Sequence, residues 1–129
     1  MYRLKIDKKE NKYKNTKTIY EGIKFDSKGE MLYYMLLKHQ EKCGIIKDIE
    51  LQPRIYLSQA KILYKPDFKY IRIEKNQIIY ADFKGMKTPV FNLKARLWKA
   101  YMDCPLELIV KSGRHFKLDK RIEGTAKLD

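Results

Sequence analysis

The sequence predicts an α/β domain with a mixed central sheet flanked by helices, and three stretches carry that reading. The first is a helix start, Asp26-Ser27-Lys28-Gly29-Glu30, which runs into the apolar series Met31-Leu32-Tyr33-Tyr34-Met35-Leu36-Leu37. The second is Tyr64 to Gly85, where two extended runs, Phe68–Ile73 and Gln77–Phe83, flank the polar break Glu74-Lys75-Asn76. Runs of Ile, Tyr and Phe bounded by turn formers read as strands, and a break this short reads as a hairpin. The third is a second helix followed by one more strand. The resulting order is helix, strand, strand, hairpin, helix, strand.

Taken in order, Met1–Thr18 is a basic arm with Arg3, Lys5, Lys8, Lys9, Lys12, Lys14 and Lys17, its start alternating Tyr2, Leu4 and Ile6. A short edge strand running into a lysine-rich loop is expected, with DNA contact and a solvated terminus both open. Thr18–Phe25 is short and extended. Ser27 and Glu30 then form a capping box for the first helix, which continues through Met31–Lys42 and stops at Gly44, a residue suited to the left-handed C′ position. Its apolar run surrounds the helix axis, so the helix is expected to be largely buried. His39 reads as a surface or half-buried helix residue. Ile45–Leu57 is a strand, a break at Pro53, and a second strand. Thr88 as N-cap with Pro89 at the first helical position opens the second helix, Val90–Met102. Val90, Leu93, Leu97 and Tyr101 make its apolar stripe, broadened by Phe91, Ala95, Trp98 and Met102. Pro105–Val110 is a buried strand expected to close the sheet, and 111–129 is a basic C-terminal segment.

The 129 residues are expected to form one domain, large enough for a core. No apolar run reaches the ~20 residues that span a membrane, and Met1–Thr18 has no apolar segment of a signal peptide. Cys43 and Cys104 lack metal or redox spacing and read as reduced thiols of a cytoplasmic protein. Lys and Arg number 29 against 16 Asp and Glu, a formal charge of +13. A small domain this basic is attracted to polyanions, nucleic acid above all. The preference for Lys over Arg points to phosphate attraction more than base reading.

The chemistry gathers at the open end of the hairpin. With a turn centred between Lys75 and Asn76, Asp67 falls directly opposite Lys84, and Asp82 one diagonal step away on the same face. Opposed residues sit about 5 Å apart at Cβ and diagonal ones roughly 7–8 Å. That face also carries Ile71, Ile73, Ile78 and Tyr80, with Lys69 the exception; the other carries Phe68, Tyr70, Ile79, Ala81 and Phe83. A hairpin apolar on both faces is covered on both. Carboxylates at the end of such a sheet need a compensating cation. Lys84 supplies one charge, and two carboxylates suit Mg²⁺ or Mn²⁺. From geometry alone, a plain lysine–aspartate pair beside a second surface aspartate is equally consistent.

Pro66-Asp67 followed by Asp82-Phe83-Lys84 resembles the signature of the PD-(D/E)XK nuclease superfamily. Small phage and prophage endonucleases of that superfamily, similar to Holliday-junction resolvases, share an F-x-S-x-x-E helix start, a Y-x-P-D-F segment and a D-x-K-G segment. Here these are Phe25 to Glu30, Tyr64 to Phe68 and Asp82 to Gly85, and Gln52-Pro53 adds a fourth shared feature. The resemblance implies a restriction-endonuclease-like αβββαβ core. It also implies one or two Mg²⁺ or Mn²⁺ ions held by Asp67, Asp82, the main-chain carbonyl of Phe83 and Glu30, with Lys84 completing the catalytic set. Glu30 is explained equally by its capping box. Lys94 would face the scissile phosphate, or lie on the surface. Gln52 would orient a water or Asp67, or be a polar strand residue. Lys28 and Lys87 are the remaining expected DNA contacts.

The expected function is metal-dependent endonucleolytic hydrolysis of DNA, directed to branched or junction substrates in phage or mobile-element recombination. The expected setting is the cytoplasm of a phage-infected or prophage-carrying bacterium. The alternatives are an end-cleaving subunit of a transposition system and a non-catalytic DNA-binding module. The module leaves Asp67 and Asp82 unexplained, since acids repel phosphate unless a cation lies between them. Cutting both strands would favour a two-fold homodimer.

Overall fold

The computed structural model describes residues 5–10, 16–83 and 89–126. The chain forms two compact units, Met1–His39 and Gln40–Asp129, the boundary falling near the end of the first helix.

The first unit opens with three antiparallel strands, β1 (Lys5–Glu10), β2 (Thr16–Tyr20) and β3 (Ile23–Phe25), paired in that order. The described residues of the basic arm therefore lie in two strands, β1 and the start of β2, with Lys5 opposite Ile19 and Ile6 opposite Thr18. Tyr20 pairs with Ile23 across a two-residue turn whose members, Glu21 and Gly22, both have positive φ (51° and 79°). Turns with φ positive at both central residues match the right-handed twist of the flanking strands. The first helix, α1, is Lys28–Lys42. Ser27 caps it as expected: its Oγ accepts the Glu30 amide at 3.1 Å and its carbonyl accepts the Met31 amide at 3.2 Å. Its apolar run is largely buried: Glu30, Met31, Tyr33, Tyr34 and Leu37 are buried, and Leu32, Met35 and Leu36 are half-buried. The Tyr34 ring packs against Phe25 at 5.3 Å and Tyr20 at 6.4 Å between centroids.

In the second unit the end of α1 turns at Gly44, whose φ is +76°. The amides of Gly44 and Ile45 close on the carbonyls of Glu41 and Gln40 at 3.1 and 3.0 Å, the paired bonds of a glycine-terminated helix. The strands that follow are β4 (Ile46–Leu51), β5 (Ile55–Leu57), β6 (Ile62–Tyr64), β7 (Phe68–Arg72), β8 (Gln77–Phe83), β9 (Leu106–Ser112) and β10 (His115–Ile122). Five of them form a mixed sheet in the order β10-β9-β8-β7-β4, in which only β8 and β9 run parallel. The helix α2 (Pro89–Tyr101) is the crossover that a parallel pair needs. Strands β5 and β6 form a separate two-stranded ribbon. The architecture is thus mixed α/β around a mixed sheet.

Three expectations change here. Pro105–Val110 does not close the sheet, because β10, drawn from the basic C-terminal segment, pairs along β9 through the Gly113 turn. The stripe on α2 is reversed: Phe91 and Trp98 are buried with Leu57, Tyr64, Tyr80, Leu106, Leu108 and Ile122, whereas Val90, Leu93 and Tyr101 are more than half exposed. The larger aromatics win the core because they bury more apolar area each. The third change is the hairpin register, described below. The α2 end is tied down by the last strand's continuation: Thr125 and Ala126 donate amides to Lys99 and Met102 at 2.9 Å each. Gly124 lets the chain approach that closely, since a Cβ there would lie 2.2 Å from the Met102 carbonyl oxygen. Among the described residues no helix is long and apolar enough to cross a membrane.

Candidate active site

The turn between β7 and β8 uses four residues. Ile73–Lys75 form one tight helical turn, and Asn76 closes it in the left-handed region (φ 47°), its amide on the Ile73 carbonyl at 3.1 Å. Arg72 therefore pairs with Gln77, and the ladder runs Tyr70–Ile79, Lys69–Tyr80 and Phe68–Ala81. The turn is centred one residue earlier than the sequence suggests, because Ile73 belongs to the turn and not to the strand. The paired ladder ends at Phe68 and Ala81, and Asp67 and Asp82 are the next residues of the two segments. The faces are unchanged, since a shift of two positions preserves alternation. Lys84 and Lys87 themselves lie outside the described residues.

Each carboxylate is held by a donor. Asp67 Oδ2 accepts the Phe83 amide at 2.8 Å, and Asp82 Oδ2 accepts the Tyr64 hydroxyl at 2.5 Å. Asp82 is 4% exposed. Gln52, just past the end of β4 with φ +48°, donates its amide to the Asp67 carbonyl at 2.9 Å. Its contribution is thus through the main chain: it fixes the backbone from which Asp67 projects. Pro53 next to it is buried and Pro66 is buried beside Asp67.

Tyr64 is the residue that sequence reasoning passes over. It ends β6, is 5% exposed, and packs edge-on between Phe91 (6.4 Å) and Trp98 (6.0 Å) of α2. Burial, then the charge and hydrogen bond of Asp82, then the charge of Asp67, push its phenol far above the ordinary range, so it remains a donor. Its place in the Y-x-P-D-F segment is the one signal the sequence offers. Lys94 of α2 sets its ammonium 5.6 Å from the centre of the same ring, a cation–π distance. The residues at 91, 94 and 98 lie within one flank of a helix, so α2 presents ring, cation and ring to Tyr64 together. Lys69, the exception on the aspartate face, is accommodated by Glu50 at 3.9 Å and by the Tyr80 ring at 5.6 Å.

Asp67, Asp82, Tyr64, Lys94 and the Gln52 main chain therefore converge in the second unit. Glu30 and Lys28 belong to the first unit, where Glu30 is buried at the capped start of α1 and Lys28 is exposed. Among the described residues no group of three or more His, Cys, Asp or Glu side chains is arranged to hold a metal. The two cysteines are unbridged, Cys43 exposed and Cys104 half-buried, and His39 is exposed.

No curated protein and no solved structure matches the chain. A model of a family described as a protein of unknown function, DUF1064, matches residues 10–117, and the chain belongs to that family.

Proposed function

We propose that the chain is a divalent-metal-dependent endodeoxyribonuclease of the PD-(D/E)XK type, with Asp67 and Asp82 as its acidic pair. The observation that carries this reading is that Asp67 and Asp82 stand at the same end of the β7–β8 hairpin, each flanking the last ladder pair and each held by a donor of its own. Two carboxylates at one end of a hairpin repel each other, and a cation between them reverses the sign. The donor set fits a hard ion: two carboxylates and the neighbouring Phe83 carbonyl offer oxygen ligands of the kind Mg²⁺ and Mn²⁺ select. When bound, such an ion supplies Lewis acidity toward phosphate and water.

The chain's own residues do the rest. The Phe83 amide and Tyr64 hydroxyl each pin one carboxylate oxygen, so the pair is preorganised. The phenol brings a hydrogen bond and no positive charge, so its part is to orient Asp82. Lys94 adds positive charge on the α2 flank, where a phosphate would be drawn in. Lys84, two residues after Asp82 in the chain, is proposed to steady charge developing on the phosphate. The formal charge of +13 supports a polyanionic substrate. Glu30, at the capped start of α1 in the first unit, is left out of this set. Branched DNA is the proposed substrate class, and a two-fold dimer the proposed state for cutting both strands.

The test is cleavage of linear, nicked, single-stranded and four-way-junction DNA across a Mg²⁺ titration. Metal-dependent cutting that Asp82→Asn abolishes supports the proposal. Equal cutting by wild type and variant would remove the pair from the chemistry.

A further inference from the structure

A second feature of the same unit lies away from the carboxylates. A groove of about 440 Å³ runs between α2 and β10, walled by Asn92, Arg96 and Lys99 of the helix and Lys120 of the strand, over Ala95 and Ile122. The groove is a fixed one, because the Thr125 and Ala126 amides tie the continuation of β10 to α2. Arg121 and Glu123 also reach it, but their charges are spent on each other at 2.5 Å and, for Arg121, on the buried Glu107 at 2.9 Å. Arg96, Lys99 and Lys120 are exposed, and none has an anionic partner among the described residues. Three cations held on two rigid elements around an apolar floor repel one another unless an anion lies among them.

The sheet fixes where this groove stands relative to the acidic pair. Asp82 pairs with Leu108 on β9, and Leu108 pairs with Lys120 on β10. The three residues form one row, with side chains on the same face, the face that α2 covers. Two strand spacings separate the ends of the row, about 10 Å. A nucleic-acid strand advances about 3.4 Å per phosphate along its axis, so about three phosphates span that interval.

We infer that the α2–β10 groove binds the phosphodiester backbone of the substrate strand about three nucleotides from the bond held at Asp67 and Asp82, through Arg96, Lys99 and Lys120. The placement rests on the nuclease reading above; the anion site itself does not. Sugars and bases pack on Ala95 and Ile122, while the three cations meet successive phosphates. Lys and Arg without a bidentate base partner give backbone contact and not sequence reading.

The experiment measures affinity for a fluorescently labelled DNA by anisotropy in metal-free, chelated buffer at several salt concentrations. It compares Arg96→Gln/Lys99→Gln/Lys120→Gln with Lys42→Gln/Lys47→Gln/Lys75→Gln, which removes the same charge from other exposed positions. The groove variant is expected to lower the slope of log K against log salt by about 2–3, at roughly 0.7–0.9 for each phosphate no longer neutralised, and the affinity by about tenfold or more. The control variant should move either quantity far less. Lys120→Glu alone, at an exposed strand position, should reproduce the direction of the groove result without disturbing α2. Equal losses in the two triple variants would overturn the inference, leaving only diffuse attraction. Because no metal is present, a protein that binds through the groove yet never cleaves would keep the groove and lose the nuclease reading. A protein that cleaves with an indifferent groove would do the reverse.

Discussion

Two buried acids sit on neighbouring strands of one sheet and are treated in opposite ways. Glu107 on β9 is 5% exposed and is gripped by two guanidinium groups, Arg121 at 2.9 Å and Arg72 at 3.3 Å. Asp82 on β8 is 4% exposed and receives a phenol hydroxyl. Ala81, next to Asp82, is the register partner of Glu107, so the two acids point to opposite faces. Two arginines cancel a carboxylate's charge and spend its acceptor positions on the protein. A phenol brings a hydrogen bond and no charge of its own, so its part is to aim the carboxylate. The comparison separates an acid held by cations of neighbouring strands from one oriented by a phenol, and it is to the second that the proposed chemistry is assigned.

Exchanging charge for amide at each acid sharpens that contrast most. Asp82→Asn keeps an acceptor for Tyr64 and should melt close to wild type, while cleavage falls by about a thousandfold or more, the several kcal/mol that a metal supplies. Glu107→Gln should do the opposite. It leaves two arginines, each about a third exposed, without their carboxylate and costs about 2 kcal/mol of stability. Its cleavage under saturating DNA should match wild type. Thermal melts and single-turnover rates on the two proteins check both arms, and parallel losses in each would collapse the distinction.

The next effect concerns the donor. Tyr64→Phe removes the hydroxyl and keeps the ring between Phe91 and Trp98, so stability should fall by about 1 kcal/mol. Metal affinity should drop about 10- to 100-fold, the range for removing the partner behind a ligand. Unchanged affinity would mean that Asp82 is held by other groups. The same phenol gives a pH signature. Its pKa is raised in the folded state, by burial first and Asp82 second, above the ordinary value of about 10. The stability this contributes is present below about pH 10 and lost as pH rises beyond it, by about 1.4 kcal/mol per unit. Tyr80, pushed to about 12 chiefly by burial, acts in the same direction. Urea unfolding between pH 9 and 11 should therefore show a shallower decline for Tyr64→Phe than for wild type.

The smallest expected shift in stability is at Glu30. Glu30→Gln preserves the amide that Ser27 caps, so the melting temperature should hold within about a degree or two. If Glu30 also serves the metal, activity falls steeply; if it only starts α1, activity stays. Cleavage by this variant at the wild-type rate is the expected result, and a steep fall would add Glu30 to the acidic set.

Much of this is legible from residue chemistry, and the failures have physical reasons. Ser27, Gly44 and Pro89 mark helix ends correctly because caps act locally. Asp67 and Asp82 emerge as a pair because alternation survives any even shift. The register itself is harder to read, because the turn absorbs Ile73, an apolar residue that looks like strand but lies 42% exposed. Strand β10 hides in a segment dominated by Lys and Arg, since an edge strand has one open side and needs little apolar alternation. The α2 face inverts because two apolar stripes compete, and only the sheet decides which one it covers. Tyr64 escapes notice as a site residue because its role depends on α2 packing over β6 from more than 25 residues away, which no local pattern encodes.

The account stands most directly on metal binding, measured apart from cleavage. Isothermal titration of Mn²⁺ into wild type, Asp82→Asn and Glu107→Gln reads it in three proteins. The carboxylate pair predicts saturable binding to wild type and Glu107→Gln, and its loss in Asp82→Asn. Mn²⁺ binding of equal strength to Asp82→Asn would contradict it.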